Sequence, residues 1–436
     1  MIPVLTAEES ARVDRASPIP VSVLMRRAGV AAAGVAVTEF GVGYGSKVVV
    51  LAGPGNNGGD AYVVASVLTR RGASVALVPF GDPGTDAARE HARRAAGVSR
   101  IVPDRPDLIV DGVFGAGGRS GLPEDVACWG RRGAPILSLD LPSGLEADSG
   151  VAGDGTFRAE VTVAFHTLKP GHLLGDGPDR CGRVMVADIG LAGGDPAYRV
   201  VEAVDAPRPV RDRRAHKWSA GSVLVIGGER GMIGAAVLAA RSALAFGAGS
   251  VGLATPDPML AQSLAPEVLA HAIGDLPERY TAWVVGPGLG SGHRDLVAHA
   301  HDRRGPTVID ADALGPDAIR AGHPNIVLTP HEGELRRMGE GPTAATLLRK
   351  GNPTIVVDDV PWIIDSGGPE LATIGTGDVL AGMIGALLAR GLDGPAAARS
   401  AAYWHGVAGA ALLHRTGYVT ADRLVDEVGR HAWGDG

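Results

Sequence analysis

The first half of the chain changes from a helical spacing of apolar residues to a series of short apolar runs. Over residues 8–40 apolar positions recur three to four apart, as in SVLMRRAGVAAAGVAV, which predicts helix. Six apolar runs follow and predict strands at residues 47–52, 75–80, 108–113, 136–141, 161–165 and 184–189. Because Ala- and Arg-rich helical stretches separate most of them, the pattern predicts a parallel sheet with helices on both faces.

A stretch rich in proline and charge, APRPVRDRRA at residues 206–215, precedes a second series of the same kind, and we take it as a linker. Beyond it, apolar runs predict strands at residues 222–226, 250–254, 283–285, 307–309, 325–328 and 354–357. The connection between Glu334 and Lys350 is short, with room for a helix of about two to three turns at most. Since the halves share no repeat, the sequence predicts two different three-layer α/β/α domains, residues 1–205 and 206–436.

The composition narrows the class of protein. A chain of 436 residues with 45% hydrophobic and 20% charged residues suits two globular domains, and no apolar run approaches the ~20 residues of a membrane span. The amino terminus lacks the apolar segment of a signal peptide, and only two cysteines, Cys128 and Cys181, are typical of a reducing cytoplasm. A net charge of −7 argues against a nucleic-acid partner. We therefore expect a cytoplasmic protein without membrane or nucleic-acid partners.

The segment GPGNNGGDA after the first predicted strand fits the G-x-G-x-x-G pattern of a dinucleotide loop through Gly53, Gly55 and Gly58. However, Asp60 would place a like charge against a pyrophosphate at the start of the next helix. The loop suits a hydroxylated ligand or a cation better. A glycine-rich turn in which Asp60 caps the helix is the structural alternative.

Two further strand ends carry polar residues, in the segments DGVFGAGGRSG and SLDLPSG. Because ligands of open α/β sheets bind beyond the carboxyl ends of the strands, these segments are expected close to the first loop. Asn57, Asp111 and Ser143 then offer hard oxygen ligands to a monovalent or divalent cation. For Asp111 alone, a role in a turn or cap is the commoner explanation.

The segments GPGNNGGDA, IVDGVFGAGGRSG, SLDLPSGLEADSG and VAFHTLKPG, in this order over about the first 190 residues, resemble the NAD(P)HX epimerase family, whose fold is Rossmann-like. The resemblance implies that Asn57, Asp111 and Ser143 hold K+ and that Lys169 stands at the family's motif lysine. Asp140 is our first candidate for the acid/base of epimerisation, and Lys169 is the second. Ala61 and Arg27 stand where the family commonly has glycine and asparagine. The substrate contacts that it implies are Asn56, Asn57, Gly58, Gly59, Asp60, Gly115, Ala116, Gly117, Gly118, Arg119, Ser120, Gly121 and Asp140.

In the second half, the segment LATIGTGDVLAG leads from glycines directly into an apolar helix near Asp378. Unpaired N–H groups at such a helix start stabilise a developing phosphoryl charge, and a neighbouring carboxylate takes the proton from an attacking hydroxyl. The segment resembles the anion hole and base of ribokinase-like enzymes. The alternative is that Thr376 or Asp378 only caps the helix.

Five more segments, HK, GGERGMIGAA, VGPGLG, VIDADAL and LTPHEGE, complete a resemblance to the NAD(P)HX dehydratase family over about residues 215–412. It implies Mg2+ together with ADP or ATP as cofactors. The implied substrate contacts are Ala235, Gly288, His331 and Asp378. The implied nucleotide contacts are Lys350, Gly351, Asn352, Pro353, Thr354, Gly375, Thr376 and Gly377. His405, on an apolar helical face, is interpreted as structural, and the segment between Glu334 and Lys350 is shorter than the family usually has.

Together the resemblances imply a homo-oligomeric, bifunctional repair enzyme. Its first domain would interconvert the R and S epimers of hydrated NADH and NADPH, and its second would dehydrate the S epimer at the expense of ADP or ATP. The alternative is a ribokinase-like small-molecule kinase with a non-catalytic, ligand-binding amino-terminal domain. A kinase would release a stable phosphorylated product, whereas the repair enzyme would release free phosphate and NADH.

Overall fold

The computed structural model describes residues 1–118, 120–210, 213–320, 322–339, 341 and 343–433. The chain forms two compact α/β units, one of residues Ile2–Tyr198 and one that begins at Arg199 and includes Met1. The domain limit predicted after residue 205 lies a few residues beyond this division.

The first unit contains one six-stranded parallel sheet flanked by helices. Its elements are β1 (Ile2–Val4), α1 (Ala7–Ala16), α2 (Val21–Phe40), β2 (Lys47–Ala52), α3 (Asn56–Arg70), β3 (Ser74–Pro79), α4 (Asp86–Arg94), β4 (Leu108–Gly112), α5 (Glu124–Ala127), β5 (Ile136–Leu139), β6 (Val161–Phe165), α6 (Gly177–Cys181) and β7 (Arg183–Ala187). The sheet order is β3-β2-β4-β5-β6-β7.

Both faces of this sheet are buried, which explains why its strands are continuous apolar runs. Along β2, Val48 and Val50 pack into the core on the side of α2 and α3, while Val49 and Leu51 pack on the opposite side with Trp129. A strand that buries both faces has no position for a solvated side chain. The sheet therefore lies between two helical layers, as the sequence predicted.

The helical pattern of residues 8–40 is divided into α1 and α2 at Pro18 and Pro20, because Pro20 occupies the position before the first turn of α2. Among the described residues, α2 alone has the length and composition to cross a membrane, and its most apolar 18-residue window has a mean hydropathy of 1.4. It carries Arg26 and Arg27, and it buries one side, including Ala28 and Ala32, in the core of this unit.

The second unit is built on a longer sheet. Its elements are β8 (Tyr198–Val200), β9 (Ser222–Ile226), α7 (Ile233–Ala245), β10 (Ser250–Thr255), α8 (Pro258–Leu264), β11 (Leu269–Ala272), β12 (Ala282–Val285), α9 (Arg294–Asp302), β13 (Thr307–Ile309), α10 (Pro316–Arg320), β14 (Ile326–Leu328), α11 (Glu332–Met338), β15 (Thr346–Arg349), β16 (Thr354–Val357), β17 (Trp362–Ile364), α12 (Thr376–Ala389), α13 (Gly394–Thr416) and α14 (Ala421–Trp433).

The strands of this sheet follow the order β8-β17-β16-β15-β14-β13-β12-β9-β10-β11. They are parallel from β11 to β15, and β16 pairs antiparallel with both β15 and β17. Because parallel strands end at the same edge of a sheet, the segments after β9, β12, β13, β14 and β15 come together there. The motifs GGERGMIGAA, VGPGLG, VIDADAL and LTPHEGE of the second half begin close to the ends of these strands, whereas the His-Lys pair at residues 216–217 precedes β9.

Candidate active sites

In the first unit, a cavity of about 620 Å³ opens at the carboxyl ends of β2, β4, β5 and β6. Side chains of α1 and α2, among them Ser10, Asp14 and Met25, complete its wall. The expected contact residues that line it are Asn56, Asn57, Asp60, Gly115, Ala116, Gly117, Gly118, Asp140 and Lys169. Gly58, Gly59, Ser120 and Gly121 lie outside the lining, and Arg119 lies outside the described residues.

The glycines of GPGNNGGDA allow the strand, loop and helix to pack closely. A Cβ atom at Gly53 would overlap the carbonyl group of Val113, and one at Gly58 would overlap the carbonyl group of Gly53. Gly55 is the residue before α3, and no side chain caps this helix. Asp60 therefore does not act as the cap that was the structural alternative, and its carboxyl group lines the cavity instead.

Asp111 and Ser143 form a buried polar cluster behind the cavity wall. Asp111 Oδ1 accepts hydrogen bonds from Ser143 Oγ at 2.5 Å and from the Val113 amide at 3.2 Å, and Oδ2 accepts from Ser138 Oγ at 2.9 Å and from the Ser143 amide at 2.8 Å. Burial raises the pKa of Asp111 to about 6 against the lowering effect of these hydrogen bonds. This carboxylate has no cationic side chain as a partner among the bonds described.

Asn57 lies close to this cluster, with its amide group held at the end of β5. Its Nδ2 donates to the carbonyl of Leu139 at 3.1 Å, whereas its buried Oδ1 has no hydrogen-bond partner within the described part of the chain. A buried amide oxygen without a partner is costly, and a cation would satisfy it. Asn57, Asp111 and Ser143 are thus residues whose oxygen atoms could hold a cation.

Asp140 and Lys169 form the central ion pair of the cavity. Lys169 Nζ lies 2.5 Å from Asp140 Oδ1 and also donates to the carbonyls of Phe165 and Thr167, while the Ala116 amide donates to Asp140 Oδ2 at 2.9 Å. Burial raises the pKa of Asp140, but the Lys169 charge and hydrogen bond outweigh it, and the net pKa is lowered. Asp140 is therefore ionised and directed at the ligand space.

His172 orients this pair, a role that was not predicted from the sequence. Its Nδ1 accepts a hydrogen bond from the Lys169 amide at 2.9 Å, and its Nε2 donates to the Asp140 carbonyl at 2.7 Å. Burial and the nearby Lys169 charge lower its pKa to about 4, so the ring is neutral. Asp140 itself has a positive φ of 63°, an unfavourable conformation that this bond helps to hold.

Asp60 is 8% exposed, and none of the hydrogen bonds described involves its carboxyl group. Burial, followed by repulsion from Asp140 and Asp14, raises its pKa well above the ordinary value of 3.8. A carboxyl group whose pKa is raised on folding binds its proton more tightly in the folded state. Its contribution to stability is therefore lost as the pH rises above the unfolded-state pKa.

We expect Asp60→Asn to raise the apparent melting temperature at neutral pH. The amide cannot ionise, so the gain should grow as the pH rises from about 4 to about 8 and should vanish below the unfolded-state pKa. Thermal denaturation across this pH range measures the effect. Asp82→Asn, at an exposed position, is the matched control and should give no pH-dependent difference from the wild type. A constant difference at all pH values would contradict a pKa of Asp60 that is raised by folding.

The second candidate site lies at the start of α12. Gly375 precedes this helix with a φ of 91°, a left-handed conformation that favours glycine, and no side chain caps the helix. Thr376 Oγ1 donates instead to the carbonyls of Leu371 and Thr373, so Thr376 is not the cap that was the alternative. The Thr376 amide donates to the Thr373 carbonyl at 3.3 Å, whereas the amides of Gly375, Gly377 and Asp378 have no partner among the bonds described and are available to an anion.

Asp378 lies in the first turn of α12 and points toward a cluster of charged groups. Burial raises its pKa to about 7, repulsion from Asp310 and Asp312 adds to the rise, and Lys350 opposes it. A pKa near neutrality suits a group that must accept a proton at physiological pH. The Lys350 ammonium lies close to this helix start, since a Cβ built on Gly377 would lie 3.6 Å from its Nζ.

The remaining predicted residues lie in the same unit. Ala235 and Gly288 are neighbours, because a Cβ built on Gly288 would lie 3.2 Å from that of Ala235. His331 is 55% exposed in its side chain, and its Nδ1 accepts from the amides of Gly333 and Glu334, which makes it the cap of α11. Residues 351–353 form the turn between β15 and β16, and Thr354 begins β16.

His405 has the structural role interpreted from the sequence. It is buried on α13, and its Nε2 donates to the carbonyl of Thr376 at 2.9 Å, which ties α13 to the first turn of α12. Burial lowers its pKa to about 4, so the ring stays neutral at physiological pH. Its side chain therefore supports the helix start and adds no charge to it.

Comparison with known proteins matches each unit to a family. The family described as YjeF-related protein N-terminus matches residues 21–171, and the one described as NAD(P)H-hydrate dehydratase matches residues 223–430. A solved structure of the ADP/ATP-dependent NAD(P)H-hydrate dehydratase from Bacillus subtilis, co-crystallised with ATP/Mg2+, is 30% identical. It covers 53% of this chain and 95% of its own, with a TM-score of 0.47.

Two relatives match nearly the whole chain. The bifunctional NAD(P)H-hydrate repair enzyme Nnr of Mycobacterium leprae is 35% identical over 446 residues, which cover 93% of this chain and 93% of that protein. The protein of the same name from Gloeobacter violaceus is 34% identical over 464 residues, with 92% and 91% covered. By this similarity over both units, the chain belongs to the family of bifunctional NAD(P)H-hydrate repair enzymes.

Proposed function

We propose that this protein repairs hydrated NADH and NADPH in two steps. Residues 1–205 interconvert the R and S epimers, and residues 206–436 dehydrate the S epimer with ADP or ATP as phosphoryl donor. The observation that carries the proposal is the presence of two separately tuned carboxylates, Asp140 paired with Lys169 and Asp378 at the start of α12. Their protonation behaviour matches a base in each reaction.

Epimerisation inverts a ring carbon that carries a hydroxyl group, so a bond at this carbon must open and re-form on the other face. As the bond to the ring nitrogen breaks, its electron pair passes to the nitrogen, the hydroxyl proton moves to a base and the carbon becomes an aldehyde. Closure on the other face reverses each of these transfers. Asp140 is ionised and hydrogen-bonded to Lys169, so it is ready to accept this proton. Lys169 keeps the carboxylate in place and stabilises its charge, and His172 fixes the backbone of both residues.

Asn57, Asp111 and Ser143 would hold the potassium ion. The ion would supply a fixed positive charge that orders the substrate-binding loops. Asn57 Oδ1, which has no hydrogen-bond partner among the described residues, and the Asp111 carboxylate, which has no cationic partner among the bonds described, both favour a cation. Asp111 and Ser143 also link the segment after β4 to the segment after β5, since the Phe114 amide donates to Ser143 Oγ at 2.9 Å. These residues therefore position both walls of the cavity.

We expect Asn57→Ala to raise the K+ concentration needed for half-maximal thermal stabilisation by about 10-fold or more. The substitution removes the buried oxygen that lacks a partner in the protein. Thermal denaturation in KCl, with choline chloride at equal ionic strength as reference, measures this without any assay of activity. Asn56→Ala is the matched control, because Asn56 Oδ1 already accepts a hydrogen bond from Thr85 Oγ1. An equal K+ response in wild type and Asn57→Ala would remove Asn57 from the ion site.

Dehydration begins when the ring hydroxyl of the S epimer attacks the terminal phosphoryl group of the nucleotide. Asp378 accepts the hydroxyl proton, and the N–H groups of Gly375 and Gly377, which have no partner among the bonds described, stabilise the charge that develops on the phosphoryl oxygens. The phosphate then leaves the ring carbon with the electron pair of the C–O bond, the adjacent ring carbon loses a proton, and the C=C bond of NAD(P)H is restored.

Mg2+ bound to the nucleotide phosphates would neutralise part of their charge. Within the described residues no group of three or more His, Cys, Asp or Glu side chains could hold a metal ion without them. This suits Mg2+, which proteins commonly bind through one or two carboxylates together with substrate phosphates.

The cellular setting belongs to the same proposal. Cys128 and Cys181 are free thiols, and burial raises the pKa of the Cys181 thiol to about 12, which makes it unreactive. Free cysteines are typical of proteins in a reducing compartment. We therefore assign the enzyme to the cytoplasm, and its assembly as a homo-oligomer stays a prediction.

The test is to incubate mixed epimers of hydrated NADH with the protein, Mg2+ and either ADP or ATP. We expect the absorbance of NADH to return and an equal amount of free phosphate to appear. Complete conversion requires the epimerase, since the dehydratase consumes only the S epimer. A phosphorylated product that accumulates without NADH would instead support the kinase alternative.

A further inference from the structure

Three residues that no part of the proposed function uses surround Lys350. Asp310 follows β13 and is 1% exposed, and its Oδ1 accepts hydrogen bonds from Thr329 Oγ1 and from Lys350 Nζ, both at 2.7 Å. Glu334, which is 6% exposed on α11, lies 3.7 Å from the same ammonium through Oε2. Two carboxylates, one that follows β13 and one on α11, therefore converge on one ammonium group, and Thr329 after β14 holds the first of them.

This arrangement fixes a side chain that is otherwise flexible. A lysine loses about 2 kcal/mol of rotamer entropy when its ammonium is confined. Lys350 is only 20% exposed in its side chain, and burying its charge is favourable only because the two carboxylates compensate it. Glu334 is fixed in turn, since its Oε2 accepts from the His331 amide at 2.8 Å.

The confined Lys350 ammonium lies beside the start of α12, where we propose that the phosphoryl group binds. A Cβ on Gly377 would be 3.6 Å from Lys350 Nζ, so the ammonium faces the helix start where a phosphoryl group would bind. Two carboxylates hold one ammonium, and Asp378 is a third carboxyl group nearby. The like charges oppose the ionisation of Asp378, while the Lys350 ammonium favours it.

We propose that Asp310 is a positioning residue of the dehydratase: together with Thr329 and Glu334 it holds the Lys350 ammonium at the start of α12, against the terminal phosphoryl group. This inference rests on the proposed function. It gives Asp310 of the motif VIDADAL a role: this residue acts on the phosphoryl group through Lys350 and not by contact with the substrate. It also explains why Lys350, which directly follows β15, points to the start of α12, while residues 351–353 form the turn to β16.

The arrangement has a consequence for the pH dependence of dehydration. The charged groups that face Asp378 are Lys350, Asp310 and Asp312, and the neighbouring His405 is neutral. Removal of the Asp310 charge relieves a repulsion and also frees the Lys350 ammonium to approach Asp378. Both effects lower the pKa of Asp378, so the protonation that stops dehydration moves to lower pH.

The experiment compares the pH profile of kcat/KM for S-epimer dehydration in the full-length wild type, Asp310→Asn, Lys350→Met and the double variant. We expect Asp310→Asn to lower kcat by about 10- to 100-fold and to move the acidic limb of the profile to lower pH. In the Lys350→Met background the same substitution should change kcat little further, because Asp310 acts through Lys350. Asp302→Asn, exposed on α9, is the matched control.

Thr329→Ser and Thr329→Val provide a second test that keeps the Asp310 charge. The serine retains the hydroxyl that orients Asp310 and should restore near-wild-type kcat, whereas the valine should lower it. An unmoved acidic limb in Asp310→Asn, or losses that multiply fully in the double variant, would overturn the inference. Wild-type protein that fails to release NADH and phosphate at all would instead overturn the proposed function, so the two failures are distinguishable.

Discussion

Asp378→Asn is expected to reduce nucleotide-dependent dehydration by about 10²- to 10⁴-fold, the usual contribution of a general base. The asparagine keeps the shape of the side chain and the start of α12, but it cannot accept the hydroxyl proton. Since burial and Asp310 raise the pKa of Asp378 to about 7, wild-type dehydration should increase with pH through this value. The residual dehydration by the variant should no longer increase with pH around this value.

Rates of NADH and phosphate release at saturating nucleotide measure this effect. The exposed Asp359→Asn is the control for an unspecific change of charge in the second unit. Binding of ADP, followed by thermal stabilisation, should persist in Asp378→Asn, because the helix-start amides remain. A variant that dehydrates the S epimer at the wild-type rate would exclude Asp378 as the base and with it the proposed dehydration chemistry.

Most of the fold was predictable because buried parallel strands are continuous apolar runs. The runs at residues 47–52, 161–165 and 307–309 coincide with β2, β6 and β13. The pattern failed for β8, β11, β15 and β17, which have three or four residues. Length alone does not explain this, because the three-residue β13 was predicted. The pairing of the missed strands depends on neighbours that are distant in sequence.

The segment between Glu334 and Lys350 shows the same limit. The sequence predicted a short connection with at most two to three helical turns, and the structure contains the seven-residue α11 followed by β15. β15 forms because β14 is available as a parallel partner and β16 as an antiparallel one. Local propensity in GEGPTAATLLRK does not contain this information.

The chemistry of the sites was predictable only where a motif carried it. Asp140, Lys169 and Asp378 belong to recognised segments, and the structure places each at the centre of a site. His172 and Asp310 were missed because each acts by holding another residue. His172 holds the backbone carbonyl of Asp140, and Asp310 holds the ammonium of Lys350. His172 lies three residues after Lys169, and this spacing was the only available signal.

The two units shift the pKa of a carboxyl group in opposite directions, although both groups are proposed to accept a hydroxyl proton. In the first, a bonded ammonium outweighs burial and keeps Asp140 ionised. In the second, Asp310 shares the ammonium of Lys350, and burial therefore prevails at Asp378. In the proposed dehydration, the negative charge of the nucleotide phosphates requires that the Lys350 ammonium is kept for them. In the proposed epimerisation, Lys169 can pair directly with the base, Asp140.

Asp140→Asn should abolish consumption of the R epimer and leave dehydration of the S epimer unchanged. The loss should be about 10²- to 10⁴-fold in the epimerisation rate, because the amide cannot accept the hydroxyl proton and its partner Lys169 is left buried without a counter-charge. With mixed epimers, Mg2+ and ADP, NADH release should therefore stop when the S epimer is exhausted. Addition of wild-type protein should restart it.

Separate measurement of both epimers during the reaction checks this expectation. The exposed Asp104→Asn is the matched control and should consume both epimers as the wild type does. Lys169→Met should slow epimerisation as well, since Asp140 then loses the bond that keeps it ionised and oriented. Equal loss of R- and S-epimer consumption in Asp140→Asn would contradict the division of the two reactions between the domains, because this carboxylate belongs to the first unit alone.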